Sequence, residues 1–191
     1  MIPLLSGEIK VSAMLKSWVI VYIGNLVGGI LIGALVSLGH TLGLFSNAVA
    51  GSVINTAVAK VSMTFGDALV RGVLCNFLVC IAVWISFAAK DVAGKIVGLF
   101  FPIMVFVLSG FEHSVANMYY VSAGLFAAGN PTYLAAATAD TSVLTWGAMF
   151  LKNLLPVTIG NIIGGSVCVG LPYWYVYLKD GKKAAKKGKK K

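Results

Sequence analysis

Four stretches of this chain, at about 17–38, 69–89, 95–121 and 146–178, are long and apolar enough to cross a bilayer as helices, which takes about 20 mostly apolar residues each. Inside hydrocarbon every backbone polar group must find its partner within the protein, and continuous apolar runs of this length do so as helices. The charge content agrees. Only 11% of the residues are charged and 59% are hydrophobic, whereas a soluble domain carries about 25% charged residues. The chain therefore reads as an all-α integral membrane protein, with residues 1–178 as one transmembrane domain. Residues 1–5 are too short to span and read as the end of an earlier helix; they do not form a cleavable signal pattern.

The net charge of +9 resides mostly in the basic tail at 179–191, with its eight lysines and one aspartate. A lysine run alone also suits nucleic acid. Beside a membrane domain the plainer partner is anionic lipid, so no nucleic acid is expected. Lys10 and Lys16 precede the first span, Lys90 and Lys95 lie between the second and third, and the tail follows the fourth. Four spans put all three places on one side. The positive-inside rule makes that side, and the C-terminus, cytoplasmic. Cys75, Cys80 and Cys168 sit in apolar runs without metal-ligand spacing and read as packing residues. The loops at about 39–68 and 122–145 are rich in small residues and have room for short helices on the outer face.

An internal repeat organises the chain. Ile23-Gly24-Asn25-Leu26-Val27-Gly28-Gly29 in the first span matches Ile159-Gly160-Asn161-Ile162-Ile163-Gly164-Gly165 in the fourth at five of seven positions. The glycines permit close helix approach. Packing does not require Asn25 and Asn161, so their recurrence marks a true repeat. The first and fourth spans run in opposite directions, and such a repeat is the mark of inverted topology.

The third span carries the chemistry. Pro102 weakens its hydrogen-bond ladder. Ser109-Gly110 then precedes Glu112, His113, Ser114 and Asn117. Ionisable groups at membrane depth are costly and usually face a pathway. Non-helical backbone there is tolerated where it lines a cavity or is buried in protein. His113 is the foremost candidate, because imidazole can donate a hydrogen bond or exchange a proton near neutral pH. Asn117 shares its face if the helix resumes at Ser114, the expected N-cap. Glu112 is expected to turn away and, with Gly110, brace the loop through backbone amides or a hydroxyl. Asn76 in the second span needs a partner and is placed near the break. Lys60 and Arg71 read equally well as a positive mouth or as a solvated pair, and His40 as an interfacial bystander.

These segments closely resemble the formate/nitrite transporter family. The resemblance rests on Leu74-Cys75-Asn76 with Leu78-Val79-Cys80, on Ser109-Gly110-Phe111-Glu112-His113-Ser114 with Ala116-Asn117-Met118, and on Pro156-Val157-Thr158 leading into the second repeat copy. It implies an aquaporin-like bundle of six spans with broken helices, assembled as a homopentamer with a pore in each protomer, in the cytoplasmic membrane of a bacterium or archaeon. It implies His113 at the pore centre, Phe106 and Val79 at apolar constrictions, Asn76 lining the pore and Lys60 in the outer vestibule. About four spans and a stub are present here, so the family's first span and most of its second, with a Thr-bearing break facing the histidine, are expected to be missing.

The expected function is permeation of a small monovalent weak-acid anion, formate or nitrite before hydrosulfide, either alone or together with a proton. The alternative of another class is a non-conducting assembly subunit. No catalytic triad, metal-ligand set or phosphate loop is present in the sequence, so neither an enzyme nor a cofactor is expected.

Overall fold

Each of the two longest helices carries a pair of glycines that presses directly on the backbone of a neighbour, and these two crossings set the architecture. In the computed structural model, which describes residues 1–179, the first is α2, Val11–Leu38. Its Gly29 lies against Met118 and its Gly33 against Ser122 and Ala123, all on α6, Ser114–Ala128. The other is α8, a continuous helical run over Trp146–Leu178. Its Gly160 meets the carbonyl of Leu69 and its Gly164 that of Val73, on α4, Phe65–Ala88. A side chain at any of these points would hold the helices apart, so small residues set the spacing.

The remaining α-helices are α1 (Ile2–Leu5), α3 (Ala48–Val61), α5 (Val92–Leu108) and α7 (Pro131–Leu134), with single 3-10 turns at Thr41–Gly43 and Thr141–Val143. Among the described residues there is no strand. Helix starts follow the sequence. Thr64 Oγ1 accepts from the Asp67 amide at 3.1 Å, Asp91 from Gly94 at 2.7 Å, and Thr145 from Ala148 at 3.0 Å, each satisfying an orphan amide of a first turn. In α8, a wide π turn over Met149–Leu154 ends two residues before Pro156, which has no amide to give to the ladder.

The contacts fix the helix directions. Along α2, Gly29 then Gly33 meet Met118 then Ser122, so α2 runs parallel to α6. Along α8, Asn153 bonds Asn117 and Asn161 bonds Ser114, so α8 runs antiparallel to α6. The copies of the repeat therefore run in opposite directions, as an inverted repeat requires. They are not equally covered: Gly160 and Gly164 are packed, while a Cβ at Gly24 or Gly28 would meet nothing within 4 Å.

Three helices, Val11–Leu38, Phe65–Ala88 and Trp146–Leu178, are long and apolar enough to cross a membrane. The third expected span is instead α5 and α6, interrupted at 109–113. Outward apolar side chains such as Val27 and Leu108, 60% and 77% exposed, suit lipid or a protein neighbour. One expectation changes. α3 does not lie on the outer face. Its Ala50, Ile54, Ala57 and Val61 are wholly buried, and Ala57 packs against Gly124 of α6. The basic tail expected at 179–191 lies, apart from Lys179, outside the described residues.

Candidate functional site

The break between α5 and α6 is built from local backbone chemistry. α5 ends as the Ser109 and Gly110 amides reach back to the carbonyls of Val105 and Val107 at 2.9 and 3.1 Å. Gly110 takes φ +65°, which glycine adopts without the penalty a Cβ brings. The Phe111 amide donates to Phe106 O at 3.0 Å, and the Glu112 amide to Arg71 O on α4 at 3.3 Å.

His113 caps α6. Its Nδ1 accepts from the Ala116 amide at 3.2 Å, so the N-cap is His113 rather than the expected Ser114. A ring nitrogen that accepts carries no proton, which places the proton of the neutral imidazole on Nε2. Nε2 has no partner among the described residues and is left as a donor. The ring stacks on Phe106, with centroids 6.0 Å apart and planes at 25°.

Asn161 clasps the break. Its Oδ1 accepts from the Ser114 amide at 2.9 Å, and its Nδ2 donates to Glu112 O at 2.9 Å and Gly72 O at 2.8 Å. Its own carbonyl accepts from Asn76 Nδ2 at 2.6 Å. Asn76 thus lies beside the break and reaches it through Asn161. The repeat counterpart, Asn25, bonds Val21 O of its own helix, at 2.8 Å, and no other group among the described residues. Asn25, Asn76 and Asn161 line a cavity of about 840 Å³ between α2, α4 and α8, as do Ser114 and Val115 at the start of α6.

Behind the break lies a second polar cluster. Glu112, 5% exposed in its side chain, pairs with Lys60 Nζ at 2.9 Å. Its other oxygen accepts from Asn117 Nδ2 and from Asn153 Nδ2 at 3.4 Å. Asn153 Nδ2 also donates to Lys60 O at 3.0 Å, and its Oδ1 accepts from Asn117 at 2.8 Å. Lys60 lies over the Tyr120 ring, 5.4 Å from its centroid.

This cluster revises several sequence expectations. Glu112 bonds an ammonium and two side-chain amides, where backbone amides or a hydroxyl were expected. Lys60 is paired within the fold instead of standing free at a mouth, because a buried carboxylate requires a counter-charge. Asn117, 1% exposed, belongs to this cluster; like His113, Phe106 and Val79, it is not among the residues that line the cavity. Phe106 and Val79 are half-buried, Ser109 is exposed at the end of α5, and His40 bonds Tyr133 Oη at 3.3 Å. Asn153 was missed, although an amide in an apolar span was the signal that singled out Asn76. Tyr22 and Thr158, whose hydroxyls lie 2.9 Å apart, were also missed.

Antiparallel repeats, an interrupted helix and an amide clasp at the interruption define the class: a multi-pass, inverted-repeat helical membrane protein. Comparison with known proteins is specific. The formate/nitrite transporter family model matches residues 1–175, and the chain belongs to that family. It is 42% identical over 177 residues to the uncharacterized transporter YrhG of Bacillus subtilis (strain 168), covering 92% of this chain and 60% of that protein. It is 40% identical over 180 residues to the formate channel FocA of Escherichia coli (strain K12), covering 92% and 63%. The solved structure of a pentameric formate channel with formate bound superposes with a TM-score of 0.79 at 35% identity, covering 89% of this chain and 69% of that one. The chain thus spans about three-fifths of the length of the curated relatives it matches.

Proposed function

We propose that this protein conducts small monovalent weak-acid anions across the cytoplasmic membrane, formate or nitrite before hydrosulfide, as one protomer of a homopentamer with a pore in each protomer. Membership in the formate/nitrite transporter family and the names of its relatives support this reading. The observation that carries it is the state of His113. Its Nδ1 is consumed by the α6 cap, which leaves Nε2–H to meet a solute at the break.

A bare anion pays a large desolvation cost in an apolar constriction. Phe106, stacked on the imidazole, supplies apolar surface beside this donor. A formate that accepts a hydrogen bond from Nε2–H crosses that surface with part of its lost hydration replaced. Lys60 and Glu112 serve another purpose: paired in a buried network, they hold the loop so that His113 keeps its orientation. The protein is not an enzyme in this reading, and its C-terminus is cytoplasmic.

Parallel flux measurements on proteoliposomes with formate, nitrite and hydrosulfide test the proposal. Saturating or channel-like flux of at least one of them, absent from protein-free vesicles, is the expected result. A well-folded pentamer that passes none would instead identify a non-conducting assembly subunit.

A further inference from the structure

Tyr22 and Thr158 hold the same place in the two copies of the repeat, each directly preceding its Ile-Gly-Asn at 23–25 and 159–161. Tyr22 Oη and Thr158 Oγ1 are 2.9 Å apart. Equivalent residues of two copies can touch only at the axis that exchanges those copies, so this pair marks the pseudo-two-fold axis of the bundle. Because α2 and α8 run in opposite directions, that axis lies in the plane of the membrane. Inverted-repeat proteins bind their solutes near the midplane at the interface of the repeats. Tyr22 and Thr158 line the same cavity as Asn25, Asn76 and Asn161. One long and one short side chain are what a bridge at such an axis needs, since two tyrosines would collide and two threonines would fall short.

We propose that the Tyr22–Thr158 hydroxyl pair is a specificity-determining bridge, pinning the Tyr22 ring across the pathway from α2 to α8 and so limiting it to the smallest anions. The proposal rests on the anion-permeation reading and adds a selectivity element to it. With the hydroxyl contact gone, the ring is free to turn about its side-chain torsions. A larger monocarboxylate then gains room, while formate, already small enough, gains little.

Formate and acetate fluxes into proteoliposomes test this in the wild type, Tyr22→Phe, Thr158→Val and the double variant. Both substitutions keep the side-chain shape and remove one hydroxyl. The acetate-to-formate ratio is expected to rise about 3- to 10-fold in each single variant, the effect of one lost hydrogen bond. The double variant should show no more than either single, because the two share one contact. An unchanged ratio in the singles, or effects that multiply in the double, overturns the bridge while leaving permeation intact. A wild type that passes neither anion contradicts the permeation reading itself, and the selectivity element falls with it.

A second measurement probes the contact without transport. In a background with Cys75, Cys80 and Cys168 replaced by alanine, Tyr22→Cys combined with Thr158→Cys should be joined by a short bifunctional methanethiosulfonate, and neither single variant should be. Failure to join overturns the bridge whatever the fluxes show.

Discussion

Asn161 Oδ1 accepts from the Ser114 amide at 2.9 Å while its Nδ2 donates to Glu112 O, also at 2.9 Å. One side chain of α8 thus holds both sides of His113, the residue between them. Asn161→Leu strands an amide and carbonyls in the protein interior, each costing about 1–3 kcal/mol when unsatisfied. At about 2–4 °C per kcal/mol for a chain of this size, the apparent Tm in detergent should fall by at least about 4 °C. Scanning fluorimetry of the purified variant reads the shift, and an unchanged Tm would mean that the break holds itself.

Glu112 and Lys60 should behave as a unit. Removing one partner of a buried pair leaves an uncompensated charge, at a cost of about 3–5 kcal/mol. Lys60→Met and Glu112→Gln are each expected to lower the apparent Tm strongly. The Lys60→Met/Glu112→Gln double variant should be less affected than the two losses added together. Strict additivity in this cycle would show that the two charges do not stabilise one another.

The α4–α8 crossing tolerates no side chain. A Cβ at Gly164 would press on Val73 O and the Phe77 amide, and one at Gly160 on Leu69 O. Backbone cannot swing aside as a side-chain tip does, so Gly164→Val should cost at least about 1–3 kcal/mol through overpacking. The loss should appear as a lower apparent Tm and a smaller monodisperse fraction in size-exclusion chromatography. Normal values for both would contradict the close crossing.

Asp140, on the loop before α8, accepts from the Ser142 amide at 3.0 Å, and hydrogen bonds from Ser142 hold its carboxyl below the ordinary 3.8. A depressed carboxyl contributes stability that is fully present above its unfolded value and is lost as pH falls through the folded one. Its contribution therefore changes only below about pH 3.8. Asp140→Asn should leave the pH dependence of both stability and flux unaltered between pH 5 and 8. Any altered profile in that range would assign a role to this loop.

The helices that the sequence made legible are those whose burial is written in continuous apolarity: α2, α4 and α8. The break was legible for the opposite reason, since Glu112 and His113 are too polar for the run they interrupt. α3 was not. Ala50, Gly51 and Ala57 are small enough to let α6 and the 136 region approach closely, and a segment of such residues reads as loop. The Glu112 network was hidden because it joins Lys60, 52 positions away, and Asn153, 41 positions away. The clasp was half visible. The repeat singled out Asn25 and Asn161 together, yet only the contacts show that Asn161 grips the break while Asn25 bonds its own helix.

In the proposed mechanism His113, with Nδ1 committed to the α6 cap, meets the anion through Nε2–H. Formate flux across pH 5 to 8 in proteoliposomes, compared between the wild type and His113→Phe, tests it most directly. The variant keeps a planar ring against Phe106 and loses the donor and the titratable nitrogen. Flux should be strongly altered in the variant, with its pH dependence flattened. Equal flux with the same pH profile in both proteins would remove His113 from the mechanism.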